Sequence, residues 1–479
     1  MSSYPEWVLV HKKKGQTVKV RDGKYYLYEQ KCIYDATKKH KNTTVDIYLG
    51  RITKENGFIP KKTPKTLKPE SIVSKVFGPY ALIMHCCSDI KERLEEEFGG
   101  YANLIFTAAS LRTIERTPYC DLETGYESSY FSVFDKTLSM SKTALSDFLI
   151  RLSHMKNKFI SYMRKDIEED EVLIFDGTNL LCGSQNISYS GVGYKHGHNY
   201  PAQVNQLYAY SPNKRKMVYY RLLEGSIPDS KSLSSILEEA SIDNGIAIID
   251  NGFASDDNLS ALLSQKEKYI LALRRDSKYV TEDIMNDSFG INSMEKFTNN
   301  HESIFAYETA DEDGNRICVY FNQTIKGVET SEYLDKIKKG WKNYTDENYK
   351  KDCKRFGIYV LKTNTGFTLQ KTYEYYKSRF EIEYLFDTIK NTLEFDKVYM
   401  HSDKALESWA FINHISILIA QRLYDYLATH DSPYSFHSTM KRLKQVILQR
   451  TIVDTTDNYT LQIIPAKTKA LIEKLEINI

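Results

Sequence analysis

The spacing of apolar and polar residues changes period several times along this chain, and each change marks a different kind of element. In the first fifty residues the period is two. Lys19-Val20 and Lys24-Tyr25-Tyr26-Leu27-Tyr28 flank Arg21-Asp22-Gly23, a turn signal, and a further run extends from Thr43 to Leu49 before Gly50. This pattern predicts antiparallel strands. Pro60, Pro64 and Pro69, set among lysines, predict a linker. From about Ser71 to Asp166 the period becomes helical, as in Ile90-Lys91-Glu92-Arg93-Leu94 and from Leu145 to Met163.

A different order begins after Glu171. Val172-Leu173-Ile174-Phe175 is a continuous apolar run, the pattern of a buried strand, and it ends at Asp176-Gly177. Two β runs follow, Val204 to Tyr210 and Met217 to Leu223, joined through Pro212-Asn213-Lys214. Pro228-Asp229-Ser230-Lys231 signals a helix start, with the helix running to about Ala240. A second buried strand, Ile246-Ala247-Ile248-Ile249, ends at Asp250-Asn251-Gly252. The order is β-β-β-α-β, with an aspartate closing the first and last strands. That matches a ribonuclease-H-like plan, in which a mixed sheet gathers carboxylates near its centre. After a strand from Tyr269 to Arg274, alternating segments such as Ile317 to Phe321 and Gly357 to Leu361 predict a mainly β insertion up to Phe367. The lysine-rich stretch from Lys336 to Lys351 separates them.

Beyond the insertion the period is again helical. At 100° per residue, Tyr376, Arg379, Glu383 and Lys390 fall at about 0°, 300°, 340° and 320°, within about 60° on one face. Ile382, Leu385, Phe386, Ile389 and Leu393 occupy the neighbouring arc. One helix would thus bury a stripe and present a phenol, a guanidinium, a carboxylate and an ammonium beside it.

Composition sets the class. At 479 residues, 41% hydrophobic and 27% charged, the chain is expected to fold as two or three soluble domains. It has no apolar run long enough to span a membrane and no signal-peptide pattern at Met1-Ser2-Ser3-Tyr4-Pro5. The seven cysteines form no Cys-x-x-Cys, which argues against a zinc site or disulfide framework and for a cytoplasmic setting. Between His11 and Glu70 there are 16 Lys or Arg against 6 Asp or Glu, an excess of +10. With a net charge of +2, the remainder carries −8. Basic charge concentrated in one segment points to a polyanion, or else to a solvated lysine-rich surface.

Phosphodiester chemistry with two divalent metals requires carboxylates that converge from separate elements on ions about 4 Å apart. Asp176 and Asp250, on strands able to be neighbours, and Glu383, on a helix packed across the sheet, are the candidate set. Asp387, at about 20° on the same helix face, is the rival third ligand. His196 and His198 have no third ligand beside them and suggest a loop near DNA.

The segment Tyr376-Lys377-Ser378-Arg379-Phe380-Glu381-Ile382-Glu383, with Lys390 seven residues on, resembles the Tyr-Arg-Glu-Lys signature of bacterial insertion-sequence DDE transposases of the insertion-sequence-four superfamily. Asp176-Gly177-Thr178 and Asp250-Asn251-Gly252-Phe253 resemble their first and second catalytic motifs, and a β insertion before the glutamate is a hallmark of the group. The resemblance covers about Glu171 to Tyr426; the first 165 residues match only in general character. It implies cut-and-paste DNA transposition at terminal inverted repeats, by end cleavage and then strand transfer to target DNA, in a homodimer assembled on the DNA. Asp176, Asp250 and Glu383 would bind two Mg²⁺ (or Mn²⁺) ions. Tyr376, Arg379 and Lys390 would hold the terminal phosphates, and Trp341 would stack an extruded base of a hairpin intermediate. For Trp341 a packing role is the competing reading. Localisation would be cytoplasmic, at the nucleoid through DNA.

The expected organisation is a basic β-rich segment and linker (1–70), a helical N-terminal domain (71–166), a catalytic core in two parts (167–275 and 368–430) around the insertion (276–367), and a C-terminal region (431–479). Two other readings are a transposase-derived DNA-binding protein that no longer cuts and another ribonuclease-H-like nuclease, such as a junction resolvase.

Overall fold

A computed structural model describes residues 4–34, 42–61, 71–115, 117–193, 202–227, 233–240, 245–250, 268–286, 292–383, 397–453 and 456–479. The chain forms two compact units, residues 1–72 with 451–458, and residues 73–450 with 459–479. In the smaller unit, strands β1 (Gln16–Arg21), β2 (Lys24–Tyr34), β3 (Asn42–Thr53) and β4 (Gly57–Pro60) form an antiparallel sheet in that order. The β1–β2 turn uses Asp22 and Gly23, both at positive φ, as the sequence signal requires. Val8, Val18, Leu27 and Ile52 make its small core.

The larger unit takes up the chain within β5 (Ser71–Val76) and runs through helices that include Ser88–Phe98, Ala102–Glu115, Lys142–Ser153 and Lys156–Arg164. Its main sheet contains β6 (Val172–Cys182), β7 (Gly191–Val192), β8 (Ala202–Ser211), β9 (Lys216–Glu224), β10 (Ile246–Ile249) and β11 (Lys268–Leu273). β6, β8 and β9 pair antiparallel, while β10 lies parallel to β6 and β11 parallel to β10. The spatial order β9-β8-β6-β10-β11 is the ribonuclease-H-like arrangement.

The insertion does not build a separate sheet. Its strands β12 (Glu295–Asn299), β13 (Glu302–Ala310), β14 (Arg316–Asn322) and β15 (Ile358–Thr363) continue the main one, because β15 pairs antiparallel with β11. The segment between β14 and β15 carries two helices, Gln323–Lys338 and Asp346–Asp352, and the lysine-rich stretch runs from the end of the first through the second. Asn322 and Thr345 cap them, each side chain accepting a hydrogen bond from a backbone N–H of the first turn.

Behind the sheet runs the 27-residue helix Asp403–Thr429, capped by Ser402 and buried along most of its length. It packs against Ala102–Glu115, Lys142–Ser153 and β9. Phe411, wholly buried, stacks on Phe159 at 4.3 Å between ring centroids. Truncating such a ring to alanine costs about 3–5 kcal/mol. Residues 431–479 contribute Leu443, Leu471 and Leu475 to the same core. No helix among the described residues is long and apolar enough to cross a membrane.

Candidate active site

The site begins with register. Phe175 of β6 and Ile249 of β10 are partners in the parallel ladder, so Asp176 and Asp250, the next residue of each chain segment, emerge side by side. Neighbouring strands lie about 4.8 Å apart, close enough for two carboxylates to share a cation. Asp176 differs from expectation in one respect. It lies inside β6, which continues to Cys182 because residues 176–181 go on pairing with β8. Beyond Phe175 the burial becomes uneven, and the continuous apolar run stops although the strand does not.

The third carboxylate arrives on a bent helix rather than a continuous one. The helix Leu369–Lys377 ends at Ser378, and helical turns resume at residues 379–383. Ser378 Oγ donates back to the carbonyl of Tyr375 at 2.7 Å, a local bond of the kind that bends helices. Tyr376 therefore stands before the bend, and Arg379 and Glu383 after it. Lys390 and Asp387, the rival of Glu383, lie outside the described residues, as do Asn251 to Phe253, His196 and His198.

Arg379 joins the elements. One guanidinium nitrogen bonds Asp250 Oδ2, and the other bonds Glu383 Oε1 at 3.0 Å. Burial works against its charge, but Tyr376, Asp250 and Glu383 outweigh this and raise its pKa. Its Cζ lies 5.5 Å from the centre of the Tyr376 ring. The Tyr376 hydroxyl is buried and pushed up to about 12, chiefly by desolvation, so it remains a neutral donor.

Asp176 has the opposite problem. Desolvation pushes its carboxyl up to about 6. The backbone N–H of Gly177, at 2.8 Å, and the charge of Arg379 counter this in part, while Asp250 and Glu383 add to it. Among the described residues, three carboxylates thus face one guanidinium, a formal balance of about −2. That deficit suits a divalent cation, and the all-oxygen donor set suits a hard one. Among the described residues, no three His, Cys, Asp or Glu side chains are close enough to form a ready-made cage. The guanidinium between Asp250 and Glu383 stands where such a cage would have to close.

Several neighbours were not anticipated from the sequence. Lys377 Nζ sits 4.0 Å from the Tyr359 ring centre and 5.0 Å from that of Phe380, and burial pushes its pKa down to about 8. Arg275 bonds Glu329 at 2.6 Å and also faces Tyr359, at 5.3 Å. The signal for Arg275 was available: it closely follows β11, whose parallel neighbour β10 leads into Asp250. Trp341 is 54% exposed on the turn after Gln323–Lys338 and meets Tyr344 edge-on at 6.2 Å. About half of the side chain is thus left open to solvent.

The family model of the transposase DDE domain matches residues 167–419, more than half of the chain. No curated protein sequence matches it. Among solved structures, a cryo-EM structure of a piggyBac transposase synaptic complex with hairpin DNA is similar. Identity is 12%, over 77% of this chain and 79% of that one, with a TM-score of 0.38. That likeness is too distant to assign residue roles.

Proposed function

The chain belongs to the transposase DDE domain family, and from this premise we propose that it is a metal-dependent cut-and-paste transposase acting at the terminal inverted repeats of an insertion sequence. What carries the reading is the pairing of Asp176 and Asp250 on adjacent parallel strands, with Arg379 tying Asp250 to Glu383. The finer kinship we propose is with the Tyr-Arg-Glu-Lys group of the insertion-sequence-four superfamily, with residues 167–275 and 368–430 as core and 276–367 as insertion.

In this proposal Asp176, Asp250 and Glu383 hold two Mg²⁺ (or Mn²⁺) ions. When bound, such ions activate the attacking oxygen and stabilise the leaving one. The protein's own contribution is positional. The sheet fixes the two aspartates, and the buried guanidinium orients Asp250 and Glu383 before DNA arrives. Tyr376 donates from a dry position, and Arg379 and Lys390 supply positive charge to the terminal phosphates. Cleavage by hydrolysis and subsequent strand transfer would occur in a homodimer that holds two DNA ends.

Purified protein with a cognate end and Mg²⁺ should cleave it. Asp176→Asn and Glu383→Gln should each abolish cleavage while leaving the circular dichroism spectrum unchanged. Cleavage that persists in both variants would overturn the assignment.

A further inference from the structure

The antiparallel sheet of the smaller unit has two unlike faces. Val18, Leu27 and Ile52 are almost fully buried and turn with Val8 toward its core. Strand alternation sends Lys19, Tyr26 and Tyr28 to the opposite face. Register places Lys19 opposite Tyr26, and Tyr26 opposite Arg51, so a cation flanks this ring on each side. Tyr28 is the partner of Tyr48. A bulge at Leu49, where the register shifts, returns Leu49 to the core and keeps Tyr48 beside the other two rings.

The ring centres of Tyr26 and Tyr48 are 6.0 Å apart, and those of Tyr28 and Tyr48 5.4 Å apart. Their planes are tilted by 57° and 53°, so the rings do not consume one another's faces by stacking. All three are half-buried. Lys19 Nζ lies 5.1 Å from the Tyr28 ring centre while bonding Asp46 at 2.6 Å. The outer face of an antiparallel sheet is ordinarily polar. Here it carries three neighbouring aromatic rings within a segment, His11 to Glu70, whose charge excess is +10. A polyanion whose units also carry flat apolar surfaces matches both properties. Nucleic-acid strands have that chemistry, and stacking on a basic aromatic platform does not require a particular base sequence.

We propose that the face formed by Tyr26, Tyr28 and Tyr48, with Lys19 and Arg51, binds an unpaired DNA strand, the rings stacking bases and the cations meeting phosphates. The proposal rests on the reading of the chain as a DNA-acting protein, and it adds a second contact surface, on the smaller unit.

The test uses the full chain in EDTA, with fluorescence anisotropy of a labelled (dT)20 strand and of a mixed-sequence 20-bp duplex. Tyr→Leu at position 26, 28 or 48 should weaken strand binding by ~10-fold per ring, whereas Tyr→Phe should retain it. Lys19→Gln with Arg51→Gln should flatten the log–log salt slope for the strand by about 1.4. Leu variants that bind the strand as tightly as wild type, with unchanged thermal unfolding, would overturn the proposal. So would tight duplex binding that is indifferent to the rings.

If a Leu variant fails to fold, photocrosslinking of wild type to a 5-iodouracil strand decides. Adducts at Tyr26, Tyr28 or Tyr48 support the face, and adducts found only elsewhere exclude it. The two readings can fail separately. Ring-dependent strand binding in a protein that never cleaves DNA would keep this face and remove the catalytic reading. Ring-independent binding in a protein that cleaves would do the reverse.

Discussion

Two clusters of charged side chains in the larger unit each gather three carboxylates and reach different balances. At the candidate active site, among the described residues, Arg379 pairs with Asp250 and Glu383 and its charge also acts on Asp176. In the second cluster, Asp166 accepts from Arg93 at 2.9 Å and Lys216 at 2.8 Å, and Lys214 reaches Glu168 at 2.8 Å and Glu171 at 2.9 Å. There, three carboxylates meet three cations. Burial also acts on Asp166, but Lys216 and Arg93 overcome it and hold the carboxyl below its ordinary value. Burial at Asp176 is not overcome, and the carboxyl rises to about 6. The balanced cluster has no net charge to neutralise, although Asp166 Oδ2 and Arg93 Nε are buried there without a hydrogen-bond partner. The unbalanced one leaves negative charge for an incoming cation to neutralise.

The comparison breaks most visibly if Arg379 is removed from the acidic cluster. Arg379→Ala is expected to lower metal-dependent cleavage of a DNA end by ~10²–10³-fold, the usual scale for losing a preorganised charged donor. Arg379→Lys should recover only a small part, because one ammonium cannot span Asp250 and Glu383 as the planar fork does. Single-turnover cleavage rates measure both. Near-wild-type cleavage by the lysine variant would show that charge alone suffices and bidentate geometry does not matter.

Neutralising one acid in each cluster should move stability in opposite directions. Asp166→Asn leaves Arg93 and Lys216 without their shared carboxylate and should destabilise the protein by about 2–3 kcal/mol in urea unfolding, allowing for the partial exposure of both cations. Asp176→Asn should stabilise the metal-free protein by about 2 kcal/mol. The sign follows from the shift. The folded pKa, about 6, exceeds the ordinary aspartate value of 3.8, so the folded state binds the proton more tightly than the unfolded chain does. The stability from that proton is present below pH ~4 and is lost as pH rises through 6. The Asn variant should therefore match wild type in acid and exceed it above pH 6. A gain that persists unchanged below pH ~4 would mean the effect is not electrostatic.

Saturating Mg²⁺ should reverse that order. At 100 times its dissociation constant a ligand stabilises the native state by about 2.7 kcal/mol. Wild type should show this rise in thermal unfolding, and Asp176→Asn should show little of it. An equal rise in both would place the ion elsewhere. The balanced cluster offers a control, since Asp166→Asn should keep its full response to Mg²⁺.

Much of the fold was legible because buried strands announce themselves. Val172–Phe175 and Ile246–Ile249 are short apolar runs, each followed by an aspartate, and two β runs and a helix between them fix the order. The continuation of β6 past Asp176 was not legible. Uneven burial in its second half interrupts the apolar signal without interrupting the backbone ladder. The bend at Ser378 was also hidden, since a serine inside a helical pattern does not reveal whether its hydroxyl bonds backward. The joining of β15 to β11 depends on residues about ninety positions apart, which no local period encodes. Of the site itself, the carboxylates and Arg379 could be read from type and spacing. Arg275 carried a signal in its position just after β11, whereas Lys377 carried none, because its surroundings are set by the Tyr359 ring, which no local spacing encodes.

The smallest expected effect lies outside both clusters, at Trp341. Its ring is 54% exposed and touches Tyr344 only edge-on, while its backbone N–H bonds the Lys336 carbonyl at 3.1 Å whatever the side chain. Little buried surface is lost on truncation, so Trp341→Ala should change unfolding free energy by less than about 0.5 kcal/mol. That near-neutrality makes the variant informative about DNA. If the indole stacks an extruded base, cleavage or hairpin formation should fall by ~10-fold at unchanged stability. If it does not, activity should stay within about twofold of wild type, as expected of an exposed surface side chain. A fall in activity accompanied by an equal loss of stability would instead mean that the ring packs in solution, and would return Trp341 to a structural role.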